Sequence, residues 1–307
     1  MNEPLRTASD GMRLVKPVSG TPSIETMVRP TPGVGKALVR VATVGMCRTD
    51  LLVASGVIPI VADTVLGHEF SGWIEDVGPD TICAFAPGTL VAGDPTFPMA
   101  DGRDGFIGVD VSGALASWIV MPVERLHRAD GLTPHQAAYL EPVTAAMGGL
   151  PVARATGGRG AIIGRNRIAT LTSAVLTSHG VDHEVLDLNE LEQRPDCSFD
   201  WLLEARLSDL LLATAVRKLA AGGTLILKSR HLEDATFPVR DMVLKRITFA
   251  GMTRSGFPEA MDWMKANVPT VDSLLGDRYP LVRWNEAFAA ADTGEGRKIF
   301  VDVSEDL

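Results

Sequence analysis

Three separated segments carry side chains of the types that bind a divalent metal. They are Cys47 within Gly45-Met46-Cys47-Arg48-Thr49-Asp50, His68 within Gly67-His68-Glu69, and Glu141 ahead of Pro142. A thiolate, an imidazole and a carboxylate drawn from three segments make a three-ligand zinc site whose fourth position is open to water or substrate. That openness separates catalytic from structural zinc. Zinc in such a site lowers the pKa of a bound hydroxyl and steadies the alkoxide from which a hydride leaves. Each residue also has a plainer use: Cys47 as a small buried hydrophobe, His68 as a hydrogen-bonded turn or core residue, and Glu141 as the N-cap of a helix opened by Pro142.

A second set lies further along. Gly164-Arg165-Asn166-Arg167-Ile168-Ala169 has the register of a G-x-G-x-x-G/A turn, in which backbone approaches a pyrophosphate at a helix N-terminus. Asn166 stands where the second glycine belongs, and because Asn tolerates positive φ the turn is expected to survive. Asp187, 23 residues after Gly164, is spaced to take the adenosine ribose hydroxyls. An acid there repels a 2′-phosphate, which favours NAD over NADP, while Arg165 and Arg167 pull mildly the other way. Asp187 could instead cap a turn from Asn189 onward.

The elements that must position these residues fall into two textures. Ala37 to Val44, Phe70 to Val77, Thr89 to Ala92 and Leu115 to Val120 are short β-rich runs between Gly, Pro and Asp, an irregular all-β region up to about residue 130. After Glu141 strands and helices alternate. The run GAIIG at 160–164 precedes a helix with Ile168, Leu171, Val175 and Leu176 on one face. Strands at Glu184 to Leu186, Phe199 to Leu203 and Thr224 to Leu227 follow, with a helix from Leu210 to Leu219 between the last two. A strand from Ile247 to Gly251, helices near Pro258 to Lys265 and Trp284 to Ala291, and a last strand from Lys298 to Val303 complete the chain. The expected fold class is α/β: a β-rich domain of residues 1–143 plus 254–307, and a parallel sheet covered by helices over 144–253.

The length of 307 residues suits two domains. With 29 Lys and Arg against 38 Asp and Glu, a formal charge of −9 and no run of like charge, neither nucleic acid nor an anionic membrane is an expected partner. Apolar residues at 46% and charged at 22% exclude disordered and collagen-like classes. No apolar stretch is long enough to span a membrane, and MNEPLRTASD lacks a signal core, so a cytoplasmic location is expected. Three scattered cysteines, Cys47, Cys83 and Cys197, suit reduced thiols rather than a disulfide framework.

In order along the chain, G-x-C-x-T-D, G-H-E and E-P, together with VSGALASWIVMP at 111–122, GGTLIL at 222–227 and YPLVRWNEAFAAADTGEGRK at 279–298, resemble the zinc-dependent medium-chain alcohol and polyol dehydrogenases, in their sorbitol and threonine dehydrogenase branch. The resemblance implies a GroES-like catalytic domain and a Rossmann-type nucleotide domain with the active site in the cleft between them. It implies Cys47, His68 and Glu141 as zinc ligands, Glu69 as a neighbour or alternate ligand, and Asp50 as the group that orients His68. Thr49 would begin a proton relay between substrate hydroxyl and cofactor ribose, and Arg48 would meet the cofactor pyrophosphate or stay solvated. Relatives often carry a histidine at the outer end of that relay. Leu52 stands there, so the proton must leave through water or another route.

Two departures follow. The lobe after Gly93-Asp94 usually holds four cysteines around a structural zinc, and 95–106 contains none, so one catalytic zinc is expected, with Met99 to Asp104 a surface loop of solvated acids. Only eleven residues separate Asp187 from Phe199, too few for the helix and strand that relatives insert, so the sheet is expected to lack an edge strand and the dinucleotide to bind with fewer adenosine contacts. Phe97 and Trp118 are expected in the core or pocket wall. The strand Ile247 to Gly251 corresponds to the edge through which relatives pair, implying a homodimer or homotetramer. The implied function is oxidation of a secondary alcohol or polyol to its carbonyl with NAD(P), the partner being a small alcohol or carbonyl. The alternatives are a redox-silent binding or assembly subunit that keeps the fold, and a biosynthetic enzyme with unusual cofactor use.

Overall fold

The computed structural model describes residues 10–229, 234–252, 254–293 and 296–304. Residues 1–9, part of the segment read for a signal core, lie outside these. The chain packs as two compact units, 1–141 with 261–307 and 142–260, where the sequence suggested junctions after 143 and 253.

In the first unit, strand Lys36–Gly45 is the centre. Its run KALVRVATVG is rich in β-branched residues and buried at nearly every position, the signature of a strand covered on both faces. Glu69–Val77 pairs antiparallel along one side. On the other side Trp118–Pro122 pairs with its first half and Lys298–Asp302 with its end. Leu90–Gly93 and Leu126–Arg128 extend the sheet past Glu69–Val77, and Leu275–Pro280 extends it past Lys298–Asp302. The register sets Gly45 opposite both Glu69 and Phe300, which brings the last strand beside two segments from the first quarter of the chain.

Two elements here were not expected. Asp10–Lys16 and Ser23–Val28 form an antiparallel hairpin whose outer strand is largely exposed and polar, so it lacks the alternation that marks a strand. Thr96–Pro98 pairs with Asp104–Phe106, so the expected surface loop is the turn of a short hairpin, with only Asp104 of it in a strand. Arg103 ties its tip, donating to Asp101 at 3.0 Å and Asp110 at 2.9 Å. Asp101 is thus an ion-pair partner and not merely a solvated acid.

The second unit holds five parallel strands in the order Glu184–Leu186, Gly160–Ile163, Phe199–Glu204, Leu219–Leu227, Thr248–Gly251. The order reverses at Gly160–Ile163, the kind of switch point at which open α/β sheets bind ligands beyond their carboxyl ends. Among the described residues no strand lies between Leu186 and Phe199; the five-residue helix Leu188–Glu192 fills that interval, so the sheet is shortened as expected. The helix expected to reach Leu219 ends at Lys218. Leu219 begins the next strand, its backbone extended at φ −69°, ψ 138°. Helix Arg167–Ser178 buries Ala169, Leu171, Thr172, Val175 and Leu176, the apolar stripe of a 3.6-residue repeat.

Candidate active site

Cys47 lies two residues past the central strand and caps helix Arg48–Ala54 in extended conformation, φ −103°, ψ 154°. Its backbone N–H donates to Asp50 Oδ2 at 3.0 Å, fixing the turn that presents the sulfur. Asp50 Oδ1 accepts from Gly67 N at 3.1 Å and lies 3.2 Å from His68 Nδ1. Because the carboxylate is acceptor-only, Nδ1 carries a proton, and Nε2 is the nitrogen left to offer a lone pair once the ring gives up its second proton. Asp50 and His68 are both buried. Burial pushes the Asp50 carboxyl up, but His68 and the donated N–H groups outweigh it and hold the group low. Burial likewise disfavours charge on His68, and Asp50 and Cys47 outweigh it, raising His68 well above 6.5.

Gly67 makes this approach possible. At φ +91° it occupies backbone space that other residues rarely adopt, and a Cβ there would lie 2.9 Å from Leu115 Cγ. Phe106, from the unexpected hairpin, packs edge-on against the His68 ring at 5.3 Å between centroids.

Glu69 completes the group. One donor atom from each of Cys47, His68 and Glu69 lies within 4.8 Å of the other two. Zinc bonds of 2.0–2.3 Å in tetrahedral array put ligand atoms about 3.3–3.8 Å apart, so rotamer adjustments of about 1 Å suffice. Glu69 also forms a buried ion pair with Lys298, a partner the sequence reading did not assign. The missing side chain of Gly45 leaves the room: a Cβ there would lie 2.7 Å from both Glu69 Oε2 and Lys298 Cε. Burial raises the Glu69 pKa; Lys298 opposes that rise and Glu141 adds to it.

The sulfur, the imidazole with its free Nε2 and the buried carboxylate fit a zinc ion. Glu141 is buried in the first turn of helix Leu140–Met147, so it is not the N-cap that Pro142 suggested; it stands within electrostatic range of Glu69 but outside the group of three. Thr49 Oγ1 lies 3.7 Å from Cys47 Sγ. Arg48, at the first helical position, is exposed. Phe97 packs partly buried on the core of the first unit, and Trp118 Nε1 donates to Glu75 at 2.8 Å within the sheet.

In the second unit Gly164 supplies the left-handed turn after the first strand, φ +131°. Asn166 does not use positive φ. It is the extended N-cap of helix Arg167–Ser178, φ −88°, its Oδ1 accepting from Ala169 N at 3.0 Å and its Nδ2 donating to Ala205 O at 2.9 Å. The side chain thus satisfies one of the helix's first N–H groups itself. Asp187 caps helix Leu188–Glu192 in a reciprocal box with Glu190, and keeps Oδ2 beside Arg165. The Asp187-x-x-Glu190 pattern was a readable signal for that box. The turn and the acid at the end of the second strand fit a dinucleotide, with Asn166 the departure.

Buried Glu204 ends the central strand Phe199–Glu204 and accepts from Lys228 N, Ser229 N and Ser229 Oγ at 2.6–2.7 Å, tying down the next loop.

Residues 33–131 match the alcohol dehydrogenase GroES-like domain. The chain is similar to the sorbitol dehydrogenase of Halalkalibacterium halodurans, 22% identical over 340 residues, covering 94% of this chain and 98% of that protein. In fold it resembles 2R,3R-butanediol dehydrogenase from Bacillus subtilis, with TM-score 0.84, 21% identity, and coverage of 96% and 100%. It also resembles an alcohol dehydrogenase from Escherichia coli CFT073 complexed with NADH, with TM-score 0.85, 18% identity, and coverage of 96% and 100%. The domain match and the likeness along the chain to alcohol and polyol dehydrogenases support an NAD(P)-dependent alcohol oxidoreductase.

Proposed function

We propose that this protein interconverts a secondary alcohol or polyol and its carbonyl, using one zinc ion held by Cys47, His68 and a carboxylate, with NAD as hydride carrier. The observation that carries the reading is the convergence of Cys47, His68 and Glu69 around an imidazole oriented by Asp50. Glu69 is the favoured carboxylate and Glu141 the alternative.

Zinc bound there would polarise the substrate oxygen and acidify its hydroxyl while the dinucleotide takes the hydride. The protein's own side chains do the rest. Asp50 holds the His68 proton on Nδ1, and Lys298 opposes the upward push that burial gives the Glu69 carboxyl. Thr49 accepts the substrate proton and passes one on from the same hydroxyl; beyond it, apolar Leu52 leaves water as the exit. The first unit is the catalytic domain and the second the nucleotide domain. Asp187 and Glu190 outweigh Arg165 in charge, which favours NAD over NADP. Three free thiols support a cytoplasmic location, and the edge strand Thr248–Gly251 supports a homodimer or homotetramer.

A redox-silent subunit is the second reading, favoured by the Asn166 cap across the pyrophosphate end of the helix. Metal analysis, followed by cofactor absorbance across alcohols and ketones, separates the two. One zinc per chain, lost in Cys47→Ser and in Glu69→Gln but kept in Glu141→Gln, with NADH formed from a polyol or secondary alcohol, supports the dehydrogenase. Loss of zinc in Glu141→Gln alone would make Glu141 the ligand. Zinc without any dinucleotide binding at millimolar concentration would establish the silent subunit.

A further inference from the structure

The end of the second parallel strand carries an ion-pair arrangement that the reaction does not use. Arg165, directly after the Gly164 turn, places Nη2 at 2.6 Å and 2.5 Å from the two carboxylate oxygens of Glu190. Its Nε lies 3.9 Å from Asp187 Oδ2. Glu190 is fixed in place by its reciprocal contacts with Asp187, whose N–H donates to Glu190 Oε2 and whose Oδ1 accepts from Glu190 N, both at 2.8 Å. One cation therefore stands between two carboxylates, all three partly exposed.

In dinucleotide folds an acid at this strand end takes the ribose 2′-hydroxyl, whereas a nearby arginine accommodates a 2′-phosphate. Both residue types are present here, and a third residue holds the arginine away from phosphate duty. We infer that Glu190 is a specificity-determining residue of the dinucleotide site: by engaging Arg165 and adding a second negative charge beside Asp187, it turns away a 2′-phosphate and reserves the site for NAD. This rests on the dinucleotide-binding reading above. Asp187 alone would leave the trio's partner, Arg165, free to neutralise it or to meet the phosphate. With Glu190 the sum is −1, facing a phosphate that carries about −1.5 to −2 charges. The contacts also lower the Glu190 pKa, Arg165 being the first cause, so Glu190 is ionised at neutral pH.

The test is binding without turnover. NADH and NADPH are titrated into the full metal-loaded chain, with no alcohol present, by the change in nicotinamide fluorescence. Glu190→Gln keeps an oxygen for the Asp187 N–H and frees Arg165. It is expected to tighten NADPH about tenfold while NADH changes less than about threefold, the size of effect of removing one charge from an exposed site near a multivalent anion. Adding Arg165→Ala to that variant should abolish the gain, whereas Arg165→Ala alone, with the guanidinium already engaged, should change NADPH affinity less. Glu190→Ser, which loses the cap as well, should shift the ratio in the same direction. An NADPH-to-NADH affinity ratio that moves less than about twofold in both Glu190 variants overturns the inference while leaving the dinucleotide reading intact. A wild-type chain that binds neither dinucleotide overturns that reading and the inference with it.

Discussion

Replacing Lys298 by Met keeps the length of the stem and removes the ammonium that faces Glu69. Both side chains are at most 5% exposed, so the carboxylate left behind has no route to bulk water. Breaking a buried pair in this way costs about 3–5 kcal/mol. The carboxyl has an escape, which is to take up a proton. From an ordinary value of 4.5, protonation at pH 7 costs about 3.4 kcal/mol at 1.36 kcal/mol per pH unit, which caps the loss near the lower end of the range. At pH 5 the same escape costs only about 0.7 kcal/mol. The metal-free variant is therefore expected to be about 3 kcal/mol less stable than wild type at pH 7, a fall of roughly 6–12 °C in Tm for a unit of this size, and less than about 1 kcal/mol less stable at pH 5. Denaturant titration at both pH values measures the gap. Zinc should narrow it at pH 7, because a divalent cation supplies the missing counter-charge. A gap that is equal at the two pH values, or that zinc leaves untouched, would refute the proposal that Lys298 and the ion serve the same carboxylate.

Other perturbations probe separate parts of the site. Asp50→Asn removes the acceptor that fixes the His68 tautomer and is expected to weaken zinc binding 10–100-fold, measured by competition with a chromophoric chelator. Thr49→Val should leave zinc content and Tm unchanged and lower kcat by about 10²–10⁴-fold, read from steady-state kinetics on whichever alcohol is turned over. Gly67→Ala combines a strained φ of +91° with a 2.9 Å contact to Leu115, and about 2–4 kcal/mol of stability should be lost in denaturant melts. In metal-free protein His68 has its pKa raised by Asp50 and Cys47 against the opposing effect of burial. Its contribution to stability is present below pH 6.5 and is lost as pH rises through the folded value, so apo stability should decline from about pH 6.5 upward. Stability measured across that range in wild type and in His68→Gln checks the sign.

The candidate ligand segments were legible because metal binding confines chemistry to a few residue types in short windows; Cys47 and His68 come together as a pair, but with Glu69, the expected neighbour or alternate, while Glu141, the expected third ligand, stands outside the group. The parallel sheet was legible for a similar reason: runs such as GAIIG are buried on both faces and leave little freedom of composition. The lost edge strand followed from counting the residues between Asp187 and Phe199. What escaped depends on distant pairing. Lys298 reaches Glu69 only because the last strand joins the central strand Lys36–Gly45, and nothing in a Gly-Arg-Lys tail marks a buried cation. Phe106 meets His68 through a hairpin of three-residue strands, too short to show alternation. Asn166 was expected to replace a glycine by adopting its backbone; it replaces it by capping a helix, because an Asn side chain can satisfy an N-terminal N–H from extended backbone at no strain. The balance of Arg165, Asp187 and Glu190 was half visible, since the capping box and the arginine are both local, but their contact needed the strand order to bring the two loops together.

The most direct test of the central claim, that Cys47, His68 and Glu69 share one ion, is a cobalt titration of the metal-free chain followed by absorbance. The account predicts a thiolate-to-cobalt charge-transfer band that saturates at one ion per chain, disappears in Cys47→Ser and weakens in Glu69→Gln. A chain that binds no cobalt, or one whose spectrum is unchanged by Cys47→Ser, would contradict it.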